Sequence, residues 1–247
     1  MRLVIAKDYD DMSKKAARLI ADEVARHPSV VLGLATGGTP VGMYRELVAL
    51  NQKEGIDFSR ATSFNLDEYV GLSGQHPQSY RAYMQENLFA HINLPADRAN
   101  IPRGDAADLA EECRRYEQAI AAAGGIDVQV LGIGNNGHIG FNEPGSARDT
   151  ATRVVRLADS TIEANARYFP TIAEVPTHAV SMGIQTILGA KKIILLASGK
   201  AKAVALQRML EGEMTEDVPA SLLQQHPDVT VIADEEAASL LSGKTRG

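Results

Sequence analysis

The chain has no tryptophan, a single cysteine and only 5% aromatic residues. Cys113 cannot close an internal disulfide, so a reducing, cytoplasmic setting is expected. It lies in a charged helical stretch, DLAEECRRYEQAIAAAGG, where an ordinary helix residue explains it better than a reactive thiol. No apolar run approaches the length of a membrane span. The N-terminus, MRLVIAKDYDDM, meets charge too early for a signal peptide. Positive charge is also in short supply, with 25 Lys and Arg against 31 Asp and Glu and a net charge of −6. With no basic run and no interleaving of basic and aromatic residues, general nucleic-acid binding is not expected. An anionic ligand would have to meet positive charge locally.

What is present is ample material for a core: 247 residues, 45% of them hydrophobic. The apolar runs LVIA, VVLGLA, ATSFNL, DVQVLGI, KKIILLAS and VTVIAD are short and do not alternate, as fully buried parallel strands do not. Amphipathic helical stretches lie between most of them, over about residues 10–26, 41–55, 79–92, 108–125, 160–169 and 200–212, and HAVSMG reads as extended. Strands alternating with helices imply an α/β fold: one domain over residues 1–247, with a mostly parallel twisted sheet and helices on both faces, Rossmann-like in plan. There is no internal repeat, low-complexity tract or linker. In such sheets ligands bind outside the carboxyl ends of the strands, so the loops that follow strands are the places to search.

The loop TGGTP at 36–40 joins a strand to a helix. Gly37 and Gly38 allow close backbone approach to an anion, Thr36 and Thr39 add hydroxyls, and the helix start offers free amides. No GK[ST] follows, so this is not a nucleoside-triphosphate loop. A phosphate site and a plain strand-to-helix turn fit it equally well. In SFNLDEYVGL, Asp67 and Glu68 follow a strand directly. Either could serve as a general base, and either could be a helix cap or surface carboxylate.

The stretch GIGNNGHIGFNEPG at 132–145 holds five glycines in fourteen residues. Gly132, Gly134 and Gly137 satisfy G-x-G-x-x-G, but a turn, FNEPG, stands where a dinucleotide-binding helix should begin. What remains is a glycine-walled loop with His138 and Glu143. The imidazole is suited to moving protons near neutrality, and a nearby carboxylate can orient it. Lys202 and Arg153 are candidate local cations. Lys202 sits in the first turn of a helix, where the dipole favours anions and not a lysine.

At these residues the chain resembles the glucosamine-6-phosphate deaminases. LGLATGGTPVGMY, SFNLDEYVGL, HPQSYR, GIGNNGHIGFNEPG and SGKAKAVALQ match that family's pattern in its order, over nearly the whole chain. The resemblance implies conversion of glucosamine 6-phosphate to fructose 6-phosphate and ammonia, with no metal or cofactor. It implies Asp67 as the base that moves a proton between C2 and C1. His138 would open the sugar ring, supported by Glu143 and Asn136. Thr39 and its neighbouring glycines, Ser146, Arg153 and Lys202 would hold the phosphate, and Arg167 would sit on a lid, at about residues 157–182, over the sugar.

Two departures from the family pattern bear on regulation and pH. Some members carry Asp where this chain has Asn136, so an altered pH profile is expected. Larger bacterial members are hexamers activated by an N-acetylated sugar phosphate. This chain has a shorter C-terminal end, and Val155-Arg156 where Lys-Thr is expected in that type. Weak or absent allostery and a monomer or small homo-oligomer are expected. Two rivals share the architecture. A sugar-lactone hydrolase would use the histidine but not Asp67 as a carbon base. A phosphosugar-sensing domain would need none of the Asp67, His138 and Glu143 set.

Overall fold

The computed structural model describes residues 1–246. Ten strands form: β1 Arg2–Ala6, β2 Val31–Leu34, β3 Thr62–Asn65, β4 Asp67–Tyr69, β5 Ala99–Asn100, β6 Val128–Gly132, β7 Arg153–Arg156, β8 His178–Ser181, β9 Lys192–Ala197 and β10 Val229–Asp234. The helices are α1 Tyr9–Arg26, α2 Val41–Glu54, α3 Tyr80–Met84, α4 Leu109–Ala122, α5 Asp159–Asn165, α6 Ile184–Leu188, α7 Ala203–Glu211 and α8 Gly243–Arg246. Local chemistry sets many of the ends. Asp8 accepts from the Asp11 amide at 2.9 Å to cap α1, and Asp108 does the same for Glu111 in α4. Gly55, at φ 71°, closes α2 in the left-handed conformation.

Seven strands make one sheet in the order β1-β10-β9-β6-β2-β3-β5, with every pair parallel. Every residue of β2, and nearly every residue of β6 and β9, is buried, so both faces of the sheet are covered, as expected for parallel strands. From β2 the chain runs outward through β3 to β5, then returns to β6 on the other side of β2. The ends of β2 and β6 therefore border a crevice at a topological switch point.

A second sheet was not foreseen in the sequence. It has three antiparallel strands in the order β4-β8-β7, and its own small core includes Tyr69, Phe141, Leu157, Phe169 and Val175. The span 157–182, expected as a lid, divides here. Its first part is α5 followed by two short 3-10 turns, whereas β8 at its end is the central strand of this sheet. The helix expected over 79–92 is also interrupted: α3 widens into a π-turn at Gln85–Phe89. There the Asn87 side-chain amide takes the Tyr83 carbonyl at 2.8 Å, the acceptor an α-helix would give to the Asn87 backbone.

Candidate active site

A cavity of about 600 Å³ opens at the carboxyl ends of the parallel strands, walled by the segments that follow β2, β3, β6 and β9 and by α5. Its chemistry comes from four places.

The 36–40 loop supplies free amides. Two of its carbonyls are occupied: Gly37 O accepts from the Tyr83 hydroxyl at 2.6 Å and Gly38 O from that of Tyr9 at 3.1 Å. Among the described residues no protein acceptor takes the amides of Gly37, Gly38 or Thr39. Gly37 has φ 98°, which only glycine adopts readily, and open space lies where a side chain would stand. Opposite, Lys202 ends a 3-10 turn at Lys200–Lys202 before α7. Asp234 anchors that turn by accepting from the Ser198 hydroxyl and the Gly199 amide. Burial pulls the Lys202 ammonium below its ordinary value. Among the described residues no carboxylate pairs with it. Free amides opposite an unpaired, partly desolvated cation are the chemistry that binding an anion requires.

The Asp67–Glu68 ambiguity resolves in space. Successive strand residues point to opposite sides, and β4 sends the two carboxyls apart. Glu68 accepts from the amides of Tyr69, Tyr80 and Arg81 at 2.9, 2.9 and 3.1 Å. It is a structural clamp on the start of α3. Asp67 is only 5% exposed and lines the cavity, and its carboxyl makes no hydrogen bond to a described residue. Burial, aided by the Glu68 charge, pushes its carboxyl up to about 8. A buried carboxyl with no partner is costly and gives a strong base once ionised.

The 132–145 loop carries the third group. The His138 ring lies flat against Gly134, where a Cβ would stand 2.3 Å from ring atoms, so glycine there makes room for the histidine. His138 Nδ1 is 3.3 Å from Glu143 Oε2, which is long and off-axis for a hydrogen bond. Catalytic contacts of this kind often tighten only on ligand binding. Asn136 holds both partners: its Oδ1 accepts from the His138 amide at 3.1 Å, and its Nδ2 donates to Glu143 Oε2 at 2.8 Å. Burial works to raise the Glu143 carboxyl, but His138, Asn136 and Thr161 together outweigh it and hold the group at about 2. Glu143 is thus a fixed anion beside the imidazole.

Of the residues expected to act together, Thr36, Gly37, Gly38, Thr39, Asp67, Asn136, His138 and Lys202 line this one cavity, and Glu143 touches His138 from behind. Three lie elsewhere. Ser146 turns its hydroxyl back onto the Glu143 carbonyl at 2.6 Å. Arg153 directs its guanidinium to Asn142 Oδ1 at 2.9 Å. Exposed Arg167 stacks on Tyr168 and lines an adjoining cavity with Gly37 and Gly38. Sequence reading missed Thr161, Asn165 and Tyr80 on the wall and Asn142 beneath it. HPQSYR and STIEANARYF contain three of these residues, but nothing in their order says which side chains turn inward. Among the described residues no three His, Cys, Asp or Glu side chains converge as a metal site requires, and no helix is long and apolar enough to cross a membrane.

Comparison with known proteins agrees with this geometry. Residues 7–232 match the family described as glucosamine-6-phosphate isomerases/6-phosphogluconolactonase. A protein of Shouchella clausii named glucosamine-6-phosphate deaminase is 54% identical over 244 residues, covering 99% of each chain. Glucosamine-6-phosphate deaminase 1 of Bacillus subtilis is 53% identical over 240 residues, covering 97% of this chain and 99% of its own. The solved structure of a monomeric glucosamine-6-phosphate deaminase superposes with a TM-score of 0.95 at 53% identity, over 97% of this chain and 100% of that one. A 6-phosphogluconolactonase from Trypanosoma brucei shares the fold at a TM-score of 0.76 and 19% identity, covering 98% of each chain. Fold, motif order and near-complete matching length lead to one conclusion: the chain belongs to the glucosamine-6-phosphate isomerase/6-phosphogluconolactonase family.

Proposed function

We propose that the protein converts glucosamine 6-phosphate and water to fructose 6-phosphate and ammonia, as a monomer. The observation that carries this reading is Asp67: a buried, unpartnered carboxyl facing a cavity that also holds an acid-base histidine and an anion site. A lactone hydrolase needs the histidine and the anion site but has no use for a second strong base, and a sensor needs neither base. The named relatives, more than half identical over their full length, support the same choice.

The phosphate sits on the amides of Gly37, Gly38 and Thr39 and on Lys202. This fixes the far end of the sugar and uses binding energy to position C1 and C2. His138, steadied by Glu143, moves the proton from the C1 hydroxyl to the ring oxygen, and the ring opens. Asp67 then removes the C2 proton, the C1 carbonyl oxygen takes up a proton, and an enolamine forms across C1 and C2. Return of a proton to C1 leaves an imine at C2. Water adds there and ammonia departs, leaving the ketone of fructose 6-phosphate. The ammonium on C2 beside Asp67 favours its ionised form in the complex.

Release of ammonia and fructose 6-phosphate from glucosamine 6-phosphate tests the reading, with Asp67→Asn beside the parent. Equal amounts of the two products from the parent, and a loss of about 100-fold or more in the variant, are expected. A folded parent that binds the sugar phosphate but yields neither product would reject it, and 6-phosphogluconolactone would be the next substrate.

A further inference from the structure

Glu143 has two carboxylate oxygens with different duties. Oε2 faces Asn136 Nδ2 at 2.8 Å and His138 Nδ1 at 3.3 Å. Oε1 accepts from the Thr161 hydroxyl at 2.8 Å. Thr161 is on α5, in a different segment from the 132–145 loop, and its hydroxyl is the one polar side-chain contact between the two among the described residues. Ser160, Thr161 and Asn165 of the same short helix line the cavity, while Ile162 packs against the small core beneath it.

We propose that Thr161 is a positioning residue: its hydroxyl locks the Glu143 carboxylate so that Oε2 stays aimed at His138, and thereby makes the ring-opening group depend on the seating of α5. This rests on the reaction proposed above. A carboxylate held at one oxygen alone can rotate about its terminal torsion, which is broad and two-fold. Held at both, by Asn136 and Thr161, it cannot. Because a carboxylate only accepts, Nδ1 carries the proton once the 3.3 Å contact closes into a hydrogen bond. Nε2, which makes no hydrogen bond to a described residue, is then left as the acceptor for a sugar hydroxyl. Thr161 thus selects the tautomer through Glu143, as outer partners orient ligating histidines elsewhere. The other ionisable groups on this wall, Asp67 and Lys202, make no hydrogen bond to Glu143.

The test compares Thr161→Val, which keeps shape and removes the donor, with Thr161→Ser, which keeps the donor. Two readouts are needed: kcat and KM for glucosamine 6-phosphate, and the ¹⁵N spectrum of the His138 imidazole, which reports its tautomer. The valine variant should lose about tenfold or more in kcat with KM changed less than twofold, and its His138 should pass from one tautomer to a mixture. Serine should restore both. A valine variant with the parent's kcat and imidazole spectrum, or a folded serine variant no better than valine, overturns the proposal. If the parent makes no ammonia, the proposed reaction fails on its own account. The imidazole spectra then decide the clamp: unchanged spectra in Thr161→Val refute it and a tautomer mixture supports it.

Discussion

The two sheets divide the labour unequally. The seven-stranded sheet is parallel, buried on both faces and carries most of the core, and at its strand ends it contributes the amides of the 36–40 loop, the glycine-walled loop of His138 and the Lys202 ammonium. The three-stranded sheet is small, but β4 places Asp67 on the cavity wall and Ser181 of β8 binds the Phe141 amide at 3.2 Å, beside the His138 loop. The large sheet therefore supplies the bulk of the core together with the loops of His138 and Lys202, and the small sheet supplies Asp67. Asp67, a carboxyl costly to bury, stands on the small sheet, where the large core does not depend on it, as a trade between stability and activity leads one to expect.

The sharpest way to break this division is Asp67→Asn. Beyond the loss of activity described above, it should stabilise the fold. The folded carboxyl titrates near 8, above its ordinary 3.8. The folded state therefore keeps a proton that the unfolded chain gives up as pH rises. Below the ordinary value the group costs nothing; from there to about pH 8 it costs increasingly more. Melting curves between pH 4 and 9 should show a gain for the variant that is absent near pH 4, grows with pH and levels off above about 8, on the order of a few kcal/mol at its largest. A variant no more stable than the parent at pH 8 would mean that Asp67 is not held as a buried acid.

Gly134→Ala asks whether the glycine loop serves the fold or the histidine. The added Cβ would sit 2.3 Å from His138 ring atoms, and the ring must swing aside. Because a side chain and not backbone has to yield, the melting temperature should change little while kcat falls by about 100-fold. A large loss of stability with activity per folded molecule intact would assign the glycine to the fold. Lys202→Met should act on binding more than chemistry. It removes a partly buried cation from the anion site, so KM should rise about tenfold with a smaller change in kcat. An equal fall in kcat at unchanged KM would place Lys202 nearer the reacting carbons.

The smallest effect is expected from Asn136→Asp. The amide now donates to Glu143 at 2.8 Å, which an ionised aspartate cannot do. Two carboxylates there raise the proton affinity of the pair, and Glu143 should leave its present value of about 2. The acid limb of the pH–rate curve should move to higher pH, with neutral-pH activity reduced less than about tenfold. An unchanged curve rejects the role given to Asn136. The sequence shows only that Asn stands where some members carry Asp; the donated hydrogen bond emerges from the fold.

What was legible from sequence followed burial. Runs such as KKIILLAS and VTVIAD are apolar throughout because both faces of their strands are covered, and so the large sheet, its loops and most of the cavity could be anticipated. The small sheet left no such mark. β4 is three residues long, and β7, RVVR, is an edge strand whose residues alternate between half-buried and exposed. Residue type alone made Asp67, His138, Glu143 and Lys202 candidates, and motif order joined them. Tertiary structure decided the rest, because each choice depends on which side of the chain a group turns to and on what meets it from far along the sequence. It set Glu68 on the amides of α3 and left Asp67 without a partner. It set the Arg153 guanidinium on Asn142, and it brought Thr161, eighteen residues away, onto Glu143.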